Sequence, residues 1–452
     1  MAVVVTAASG YDLDYVWKNQ AKAGAERQAE GKAVGGYYIN AAEAGEAPGR
    51  WFGKGAEALG FTAGQRVERE PYDAVYKQVD PRDGTKLGRA PGGYKKYKDH
   101  LEKLLAAEPH ATSERVAQLE RLAAQATRKS PVYTDATVSI SKSVSIFHAS
   151  IRENERQARL AGDEAAAAYW RGQDEKYQQI AQDANRAGLE HLEQWVMTRS
   201  GGSGQRVDGQ ETIRFEDAGM VVTSWLQGTS RDGDPQDHIH NQIARMSLTA
   251  RDGKWRALDT AGIRAELGAV RGIVNAHLDA ALTREFGVTM TARGDGKGNE
   301  IAGITREQIE KYSTRTQQID NATQEAVDKW AAKHGREPSK RELLYIRQEV
   351  TMASREGKED GAIDWDAQIE KWEAKWDARD GSSLAQVARE VSHLHGPEGG
   401  PEGDAEAGPR ATRNRTNRSR PSRRLRLTRK PARCSRRSRG YRTRTPRGPA
   451  PT

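Results

Sequence analysis

Cysteine is almost absent from this chain of 452 residues. The only one, Cys434, lies near the C-terminus, so no internal disulfide can form. Long apolar runs are also missing, because no stretch approaches the roughly 20 apolar residues of a membrane-spanning helix. The opening MAVVVTAASG lacks the basic start of a secretory signal. These absences argue against membrane insertion and favour the reducing cytoplasm.

Acidic residues are missing from the tail, residues 409–452, which contains 16 Arg and one Lys. The whole chain has 72 basic and 63 acidic residues, so the remainder holds 55 bases against those 63 acids, a net charge of −8. The formal charge of +9 therefore says nothing about the partners of the folded body. The tail itself predicts disorder and nonspecific DNA binding through counterion release.

Hydrophobic periodicity predicts an α+β fold built on a central antiparallel sheet. Period-two alternation in residues 132–140, 219–227 and 238–248 is typical of strands, and the first residues of the chain predict a short buried strand. A hairpin with its turn at 252–253 follows, which we expect to support the 238–248 strand. Helices are predicted at 54–60, at 101–126 with a break at Pro109, from 141 to about 198 with a break near Gly162, at 261–286, at 305–313 with Thr305 as cap, and over 315–395 with breaks near Gly335 and Gly361.

Two histidines in the segment DHIHNQ carry most of the functional information. His238 and His240 stand at i and i+2 on a predicted central strand, so both imidazoles point to one face of the sheet. Such a pair can hold a divalent ion, although two ordinary sheet histidines explain the spacing equally well. His393 and His395 share the spacing but end a helical segment, and we expect them to be exposed.

A third ligand is required, because two imidazoles leave a divalent ion underligated. Gln227 closes the partner strand across the turn from His238. Its neutral amide oxygen suits Mg²⁺ or Mn²⁺ better than tightly held Zn²⁺; the alternative is a turn residue bonded to the backbone. Asp237 lies beside the pair but points to the opposite face, so we exclude it as a ligand.

Two further groups are candidates at the edge of this site. Asp135, on the 132–140 strand, can accept a hydrogen bond from a ligating imidazole and fix its tautomer, or can be a surface carboxylate at a strand end. Ser141, Lys142 and Ser143 open the following helix and can bind phosphate there, unless this helix start is simply solvated.

Four segments together resemble one family. TDATVSISKSVSIF is similar to its strand and helix start, TSRDGDPQDHIHN to its histidine motif, and GRWFGKGAEALGF and GITREQIEKYSTRTQQI to two further blocks. The family is that of TrwC-type (MobF) conjugative relaxases, in the HUH endonuclease group. The match is collinear from Tyr11 to about Ile319.

The resemblance implies metal-dependent nicking of single-stranded DNA at a plasmid transfer origin, through a 5′-phosphotyrosine intermediate that can be resealed. It assigns the nucleophile to Tyr11, with Tyr15 in reserve and Tyr37 and Tyr38 as a pair for a second strand transfer. An unshifted phenol titrates near pH 10, so the metal or Asp135 must help to remove its proton. Most of the 14 tyrosines are expected to be structural.

The chain departs from the family in two respects. Gln227 stands where the family usually has a third histidine, which predicts weaker metal affinity with retained activity. The helicase domain with its G-x-x-x-x-G-K-[ST] loop is missing, so we expect either a relaxase-only form or a truncated one, with a tail typical of a shifted reading frame. The predicted domains are a relaxase domain over 1–319, a helical extension over 320–395 and a disordered Arg/Pro-rich tail over 396–452.

Three functions remain open at this point. The first is site-specific strand transfer in conjugation, with single-stranded origin DNA, relaxosome proteins and coupling proteins as implied partners. The second is a catalytically weakened relaxase that acts as a DNA-binding accessory factor, which Gln227 favours. The third is initiation of rolling-circle replication, which uses the same chemistry at a different origin.

Overall fold

Helices and antiparallel strands occur in runs along the chain. The computed structural model describes residues 4–10, 47–88, 97–109, 111–126, 131–200, 206–207, 210–211, 214–230, 232–294, 298–353, 364–377 and 382–396. The strands are β1 Val4–Gly10, β2 Arg50–Phe52, β3 Tyr133–Ser139, β4 Met197–Ser200, β5 Arg206–Val207, β6 Gln210–Glu211, β7 Arg214–Gly219, β8 Val222–Thr229, β9 Pro235–Ala244, β10 Met246–Thr249, β11 Trp255–Asp259, β12 Met290–Ala292 and β13 Asn299–Ile301. The helices are α1 Lys54–Ala58, α2 Arg69–Tyr76, α3 Tyr97–Ala107, α4 Ser113–Ala126, α5 Lys142–Leu160, α6 Glu164–Glu193, α7 Ala261–Phe286, α8 Arg306–Lys311, α9 Thr314–His334, α10 Lys340–Ala353, α11 Trp365–Asp377 and α12 Leu384–Val391.

The central sheet contains five strands in the order β1-β3-β9-β8-β2, and every neighbouring pair is antiparallel. β9 occupies the middle, with β3 on one side and β8 on the other, as the alternation of the sequence predicted. The fold class, a central antiparallel sheet covered by helices, is thereby confirmed.

The two faces of this sheet are covered by different elements. On the helix face, apolar residues such as Val138, Leu226 and Ile239 pack in one core with residues of α5, α6 and α7. On the opposite face, which we call the histidine face because it carries His238 and His240, a second cluster includes side chains of α2. β9 is thus held between two buried layers, and only the middle of the histidine face remains for a site.

Two predictions about strands need correction. The first strand was expected to be buried, but β1 is the edge of the sheet, where Thr6 and Ser9 are exposed. The hairpin of β10 and β11 was expected to support the histidine strand. Instead the chain bends at Arg245, and both strands join β4 and β7 in a small closed barrel. The support on that side of β9 comes from β3.

The C-terminal helices contribute to the same core as the sheet. Trp365, Trp372 and Trp376 of α11 are buried in the cluster that contains the helix face, together with Leu384 of α12. The apolar core therefore continues into residues assigned from sequence to an extension, while the domain boundaries at 319 and 395 remain predictions. None of the described helices has the length and apolar character needed to cross a membrane.

Candidate metal centre

The histidine pair lies at the centre of the sheet. Because side chains alternate along β9, Gln236, His238 and His240 share the histidine face, and the two imidazole centroids are 5.0 Å apart. Gln227 of β8 is the directly paired neighbour of His238, and its side chain is 2% exposed. Directly paired residues present their side chains on the same face. The fold therefore brings the three predicted ligands together.

His240 is held by Asp135 on the adjacent strand. The imidazole Nδ1 lies 2.7 Å from a carboxylate oxygen of Asp135, so the ring donates its Nδ1 proton to that oxygen. This is the hydrogen bond that the sequence suggested between the two strands. The ligating lone pair of a neutral ring then belongs to Nε2, the arrangement of a carboxylate–histidine–metal triad.

His238 reaches the same tautomer by another route. Its Nδ1 lies 2.9 Å from the backbone carbonyl oxygen of Gln236, two residues earlier on β9. A carbonyl oxygen only accepts, so the neutral ring again carries its proton on Nδ1 and its lone pair on Nε2. Two different acceptors thus give both neutral imidazoles the same tautomer, in which Nε2 can ligate a metal.

The candidate ligands are all neutral groups, and such a set can hold a divalent ion. Within the described ranges, no group of three His, Cys, Asp or Glu residues is placed to hold a metal. The donors on the histidine face are instead His238, His240 and the amide oxygen of Gln227. Two imidazoles and an amide leave coordination positions for water or for a substrate oxygen.

A cavity of about 310 Å³ continues the histidine face beyond His238. It begins at Ser139, the β3 partner of His238, and at Gln236, the next residue of that face on β9. Its wall is mostly apolar and carries charged side chains of both signs: Lys142 of α5, Arg315 of α9, Arg347 of α10 and the carboxylate of Asp234. Arg347 also pairs with Asp320, so the cavity offers an apolar wall with a modest excess of positive charge.

The start of α5 is buried, so neither reading of it from the sequence was right. Ser141, Lys142 and Ser143 are all at most 3% exposed. The Glu300 carboxylate of β13 accepts hydrogen bonds from the backbone N–H and the hydroxyl of Ser143. A carboxylate from the chain itself therefore occupies the position at which phosphate was expected.

The side chain of Lys142 reaches the first residue of β9. Its ammonium donates to the carbonyl oxygen of Pro235 at 2.7 Å. Burial lowers the pKa of Lys142 to about 8, although the carboxylates of Asp234 and Asp237 oppose this shift. The side chain is therefore a buried cation at neutral pH, at the wall of the cavity.

Asp237 faces away from the ligands, as strand alternation predicted. On the helix face it meets His148 of α5 at 3.0 Å and accepts a hydrogen bond from the Tyr177 hydroxyl at 2.6 Å. Sequence reasoning found the direction of Asp237 but missed both partners. His148 is 89 residues from Asp237 along the chain, and no local pattern distinguishes it from other histidines.

The four tyrosines proposed for strand transfer, Tyr11, Tyr15, Tyr37 and Tyr38, lie outside the described residues. The strand before them is described. Ala8 of β1 pairs with Asp135, and Gly10, the last residue of β1, pairs with Tyr133. Tyr11 therefore follows directly from the end of the strand that neighbours Asp135.

A family model for the TrwC relaxase matches residues 13–379. The chain belongs to the TrwC relaxase family. It is therefore a DNA relaxase, as the four sequence segments indicated. The matched range includes β9, its histidines and α11, and so extends well beyond the region in which the resemblance was first recognised.

Solved structures of the conjugative relaxase TrwC have the same fold. A copper-bound complex with oriT DNA is 23% identical, with a TM-score of 0.51, and the match covers 84% of this chain and 100% of that one. A complex with a 27-mer DNA comprising the recognition hairpin and the cleavage site is 22% identical, with a TM-score of 0.50 and the same coverage. A metal-bound oriT complex is also 22% identical, with coverage of 86% and 98%. At these identities the likeness shows the fold alone. No curated protein matches the chain.

Proposed function

We propose that this relaxase nicks single-stranded DNA at a plasmid transfer origin and transfers the strand to a tyrosine in a metal-dependent reaction. The observation that carries the proposal is the pair of imidazoles on one face of the central strand, each with its Nδ1 bound to an acceptor so that the lone pair of the neutral ring lies on Nε2. Family membership supplies the reaction class. The DNA and metal in the related TrwC complexes support both ligands for this chain.

In this proposal His238, His240 and Gln227 hold a divalent ion, Mg²⁺ or Mn²⁺. When bound, such an ion polarises a non-bridging phosphate oxygen and stabilises the negative charge of the transition state. The residues of the chain do the rest. Asp135 keeps the His240 ring in one tautomer and one orientation, and Gln236 does the same for His238 through its carbonyl oxygen.

Tyr11 is the proposed nucleophile. Its deprotonated phenol oxygen attacks the scissile phosphorus, the bond from phosphorus to the 3′ oxygen breaks, and the leaving 3′ oxygen takes up a proton. The 5′ end of the strand is then held as a phosphotyrosine. One phosphoester has replaced another, so attack by a 3′-hydroxyl reverses the step and reseals the strand. Tyr15, Tyr37 and Tyr38 are the reserve candidates.

The cavity beside the ligands supports a single-stranded substrate. Gln236, which lines the cavity, is two residues from His238 on an extended strand, or about 7 Å along β9. An apolar wall accepts an unstacked base, while the guanidinium groups of Arg315 and Arg347 favour the sugar–phosphate backbone. We propose that the strand runs along the histidine face into this cavity, and that relaxosome and coupling proteins deliver it.

The experiment compares Tyr11→Phe with the wild type on a single-stranded oligonucleotide that carries the transfer origin. We expect the covalent adduct to disappear from a denaturing gel with Tyr11→Phe, because the substitution removes only the attacking hydroxyl, while Mn²⁺ binding persists. Tyr15→Phe is the matched control and keeps the adduct. Mass spectrometry of the crosslinked wild-type peptide identifies the residue directly. Equal yield from Tyr11→Phe would move the role to another tyrosine.

A DNA-binding accessory role is the second candidate, and one observation favours it. Gln227, a neutral and weaker ligand than histidine, is the residue opposite His238. Under this alternative the wild-type chain binds the origin oligonucleotide but forms no adduct with Mg²⁺, Mn²⁺ or Zn²⁺. Adduct formation with any of these ions rejects it. Adduct at a replication origin only would point to rolling-circle initiation.

A further inference from the structure

A buried polar cluster lies directly behind the candidate ligands. Asp237 stands between Gln236 and His238 on β9, and its carboxylate is 2% exposed on the helix face. One carboxylate oxygen accepts the hydroxyl proton of Tyr177 at 2.6 Å and lies 3.0 Å from Nδ1 of His148. The His148 ring also stacks on Tyr177, with centroids 3.9 Å apart. Asp237 is the neighbour of His238 in sequence, yet its side chain and its two partners lie on the helix face, opposite the candidate ligands.

His148 is held between two carboxylates. Its Nε2 lies 2.5 Å from Asp174, while Nδ1 faces Asp237. Carboxylate oxygens only accept, so both ring nitrogens donate and the imidazole is charged. Burial opposes this charge, but Asp237 and the bond to Asp174 raise the pKa of His148 above its usual range. Arg152, 3.2 Å from Asp174, adds a second cation.

The backbone of Asp237 is fixed as well. Its N–H donates to the Ser145 hydroxyl of α5 at 2.9 Å, and its carbonyl oxygen accepts from the Ile140 N–H at 2.9 Å. The peptide unit is planar, so the N–H of Asp237 and the carbonyl of Gln236 turn together. That carbonyl is the acceptor for Nδ1 of His238. The contacts that hold Asp237 therefore also orient the Gln236 carbonyl oxygen, which binds Nδ1 of the His238 ring.

We propose that His148 is a positioning residue for His238: by clamping Asp237 against α5 and α6, it orients the Gln236–Asp237 peptide and through it the imidazole that ligates the metal. The inference rests on the metal site of the proposed function. It explains why ionic groups occupy a core where apolar side chains of the same volume would serve stability equally well. The proposal applies to His238 alone, since the His240 ring is oriented by Asp135 and not through Asp237.

The test measures the affinity of the full chain for Mn²⁺ without DNA, by isothermal titration calorimetry. His148→Gln keeps one donor but loses the charge and the ring stack, and we expect the dissociation constant to rise about tenfold. Tyr177→Phe removes only the hydroxyl that holds Asp237 and gives a smaller rise in the same direction. This second variant carries the test if His148→Gln does not fold.

Glu153→Gln is the matched control. Glu153 is fully buried on the same helix, where it pairs with Arg156 and Gln157. We expect this variant to lose stability without losing Mn²⁺ affinity. A structural role of His148 would likewise lower the midpoint of thermal unfolding alone, whereas positioning changes the absorption spectrum of bound Co²⁺. Excess Mn²⁺ should restore the adduct yield of His148→Gln if only binding is weakened.

The inference is overturned if His148→Gln and Tyr177→Phe, both folded, bind Mn²⁺ as tightly as the wild type. It is also overturned, together with the metal site, if the wild type binds neither Mn²⁺ nor Co²⁺. A wild type that binds metal but forms no adduct contradicts the proposed function only. The titrations then still decide the role of His148.

Discussion

Two pairs of histidines in this relaxase share the spacing H-x-H and differ in their surroundings. His238 and His240 lie in the middle of a five-stranded sheet, and a carbonyl or carboxylate oxygen binds Nδ1 of each ring. His393 and His395 are exposed on either side of buried Leu394, after the end of α12. The same spacing therefore occurs in two different environments. On β9 the strand directs both rings to one face, and the acceptors place the lone pair of each neutral ring on Nε2.

The largest effect is expected from removing each pair in turn. In the double variant with His238→Ala and His240→Ala, we expect Mn²⁺ binding and DNA adduct to fall below detection, because only Gln227 remains as a donor. The double variant with His393→Ala and His395→Ala should match the wild type in both measurements. Removing metal with EDTA should copy the first variant reversibly. Equal Mn²⁺ binding and equal adduct yield in the two double variants would mean that the buried pair has no special role.

The same contrast between buried and exposed residues applies to lysines. Burial lowers the pKa of Lys142 from 10.5 to about 8. Between these values the unfolded chain binds more protons than the folded one, so the free energy of unfolding rises with pH across this window. The full rise is about 3 kcal/mol. This rise in the free energy of unfolding should be missing in Lys142→Met.

The measurement is urea unfolding at several pH values between 8 and 10.5, as the difference between each variant and the wild type. Lys176→Met is the control, because Lys176 lies on α6 with its side chain 45% exposed. We expect its difference from the wild type to be independent of pH. A flat difference for Lys142→Met as well would mean that Lys142 titrates as it does in water.

Local patterns were sufficient for the elements around the site. Helix α7 spans 261–286, as its apolar periodicity predicted, and α8 begins at the predicted cap Thr305, which forms a capping box with Gln308. The histidines share one face of the central strand because side-chain alternation is a property of any strand. In each case the deciding interactions lie within a few residues along the chain, where a sequence can be interpreted directly.

Contacts distant in sequence were not predictable. Glu300 binds the start of α5 from 157 residues away, and His148 meets Asp237 across 89 residues. The sequence around Glu300 or His148 does not indicate which distant residue it contacts. The small barrel was missed for a similar reason, since β4, β7, β10 and β11 close a ring that depends on all four strands. The shared face of His238 and His240 and the bond from His240 to Asp135 followed from strand alternation, while the contacts of Glu300 and His148 did not.

An intermediate loss of Mn²⁺ affinity is expected from weakening the acceptor that holds His240. Asp135→Asn keeps the shape of the side chain but replaces the charged acceptor of the His240 proton with a neutral amide. We expect Mn²⁺ affinity to fall about tenfold, as for other carboxylates that support a ligating histidine. Asp366→Asn is the control, because Asp366 is 56% exposed and pairs with Arg159. Equal affinities in both variants would leave Asp135 without a role in binding.

The smallest change should come from strengthening the site. Gln227→His places a third imidazole opposite His238. The Cβ atoms of directly paired residues on neighbouring strands are about 5 Å apart. The exchange adds no charge, so the buried position should accept it. We expect severalfold tighter Mn²⁺ binding and a larger gain for Zn²⁺, because imidazole is a better ligand for zinc than an amide oxygen. Unchanged affinity for both ions would mean that no ion is held between β8 and β9, and the buried pair would then differ from the exposed one only in its surroundings.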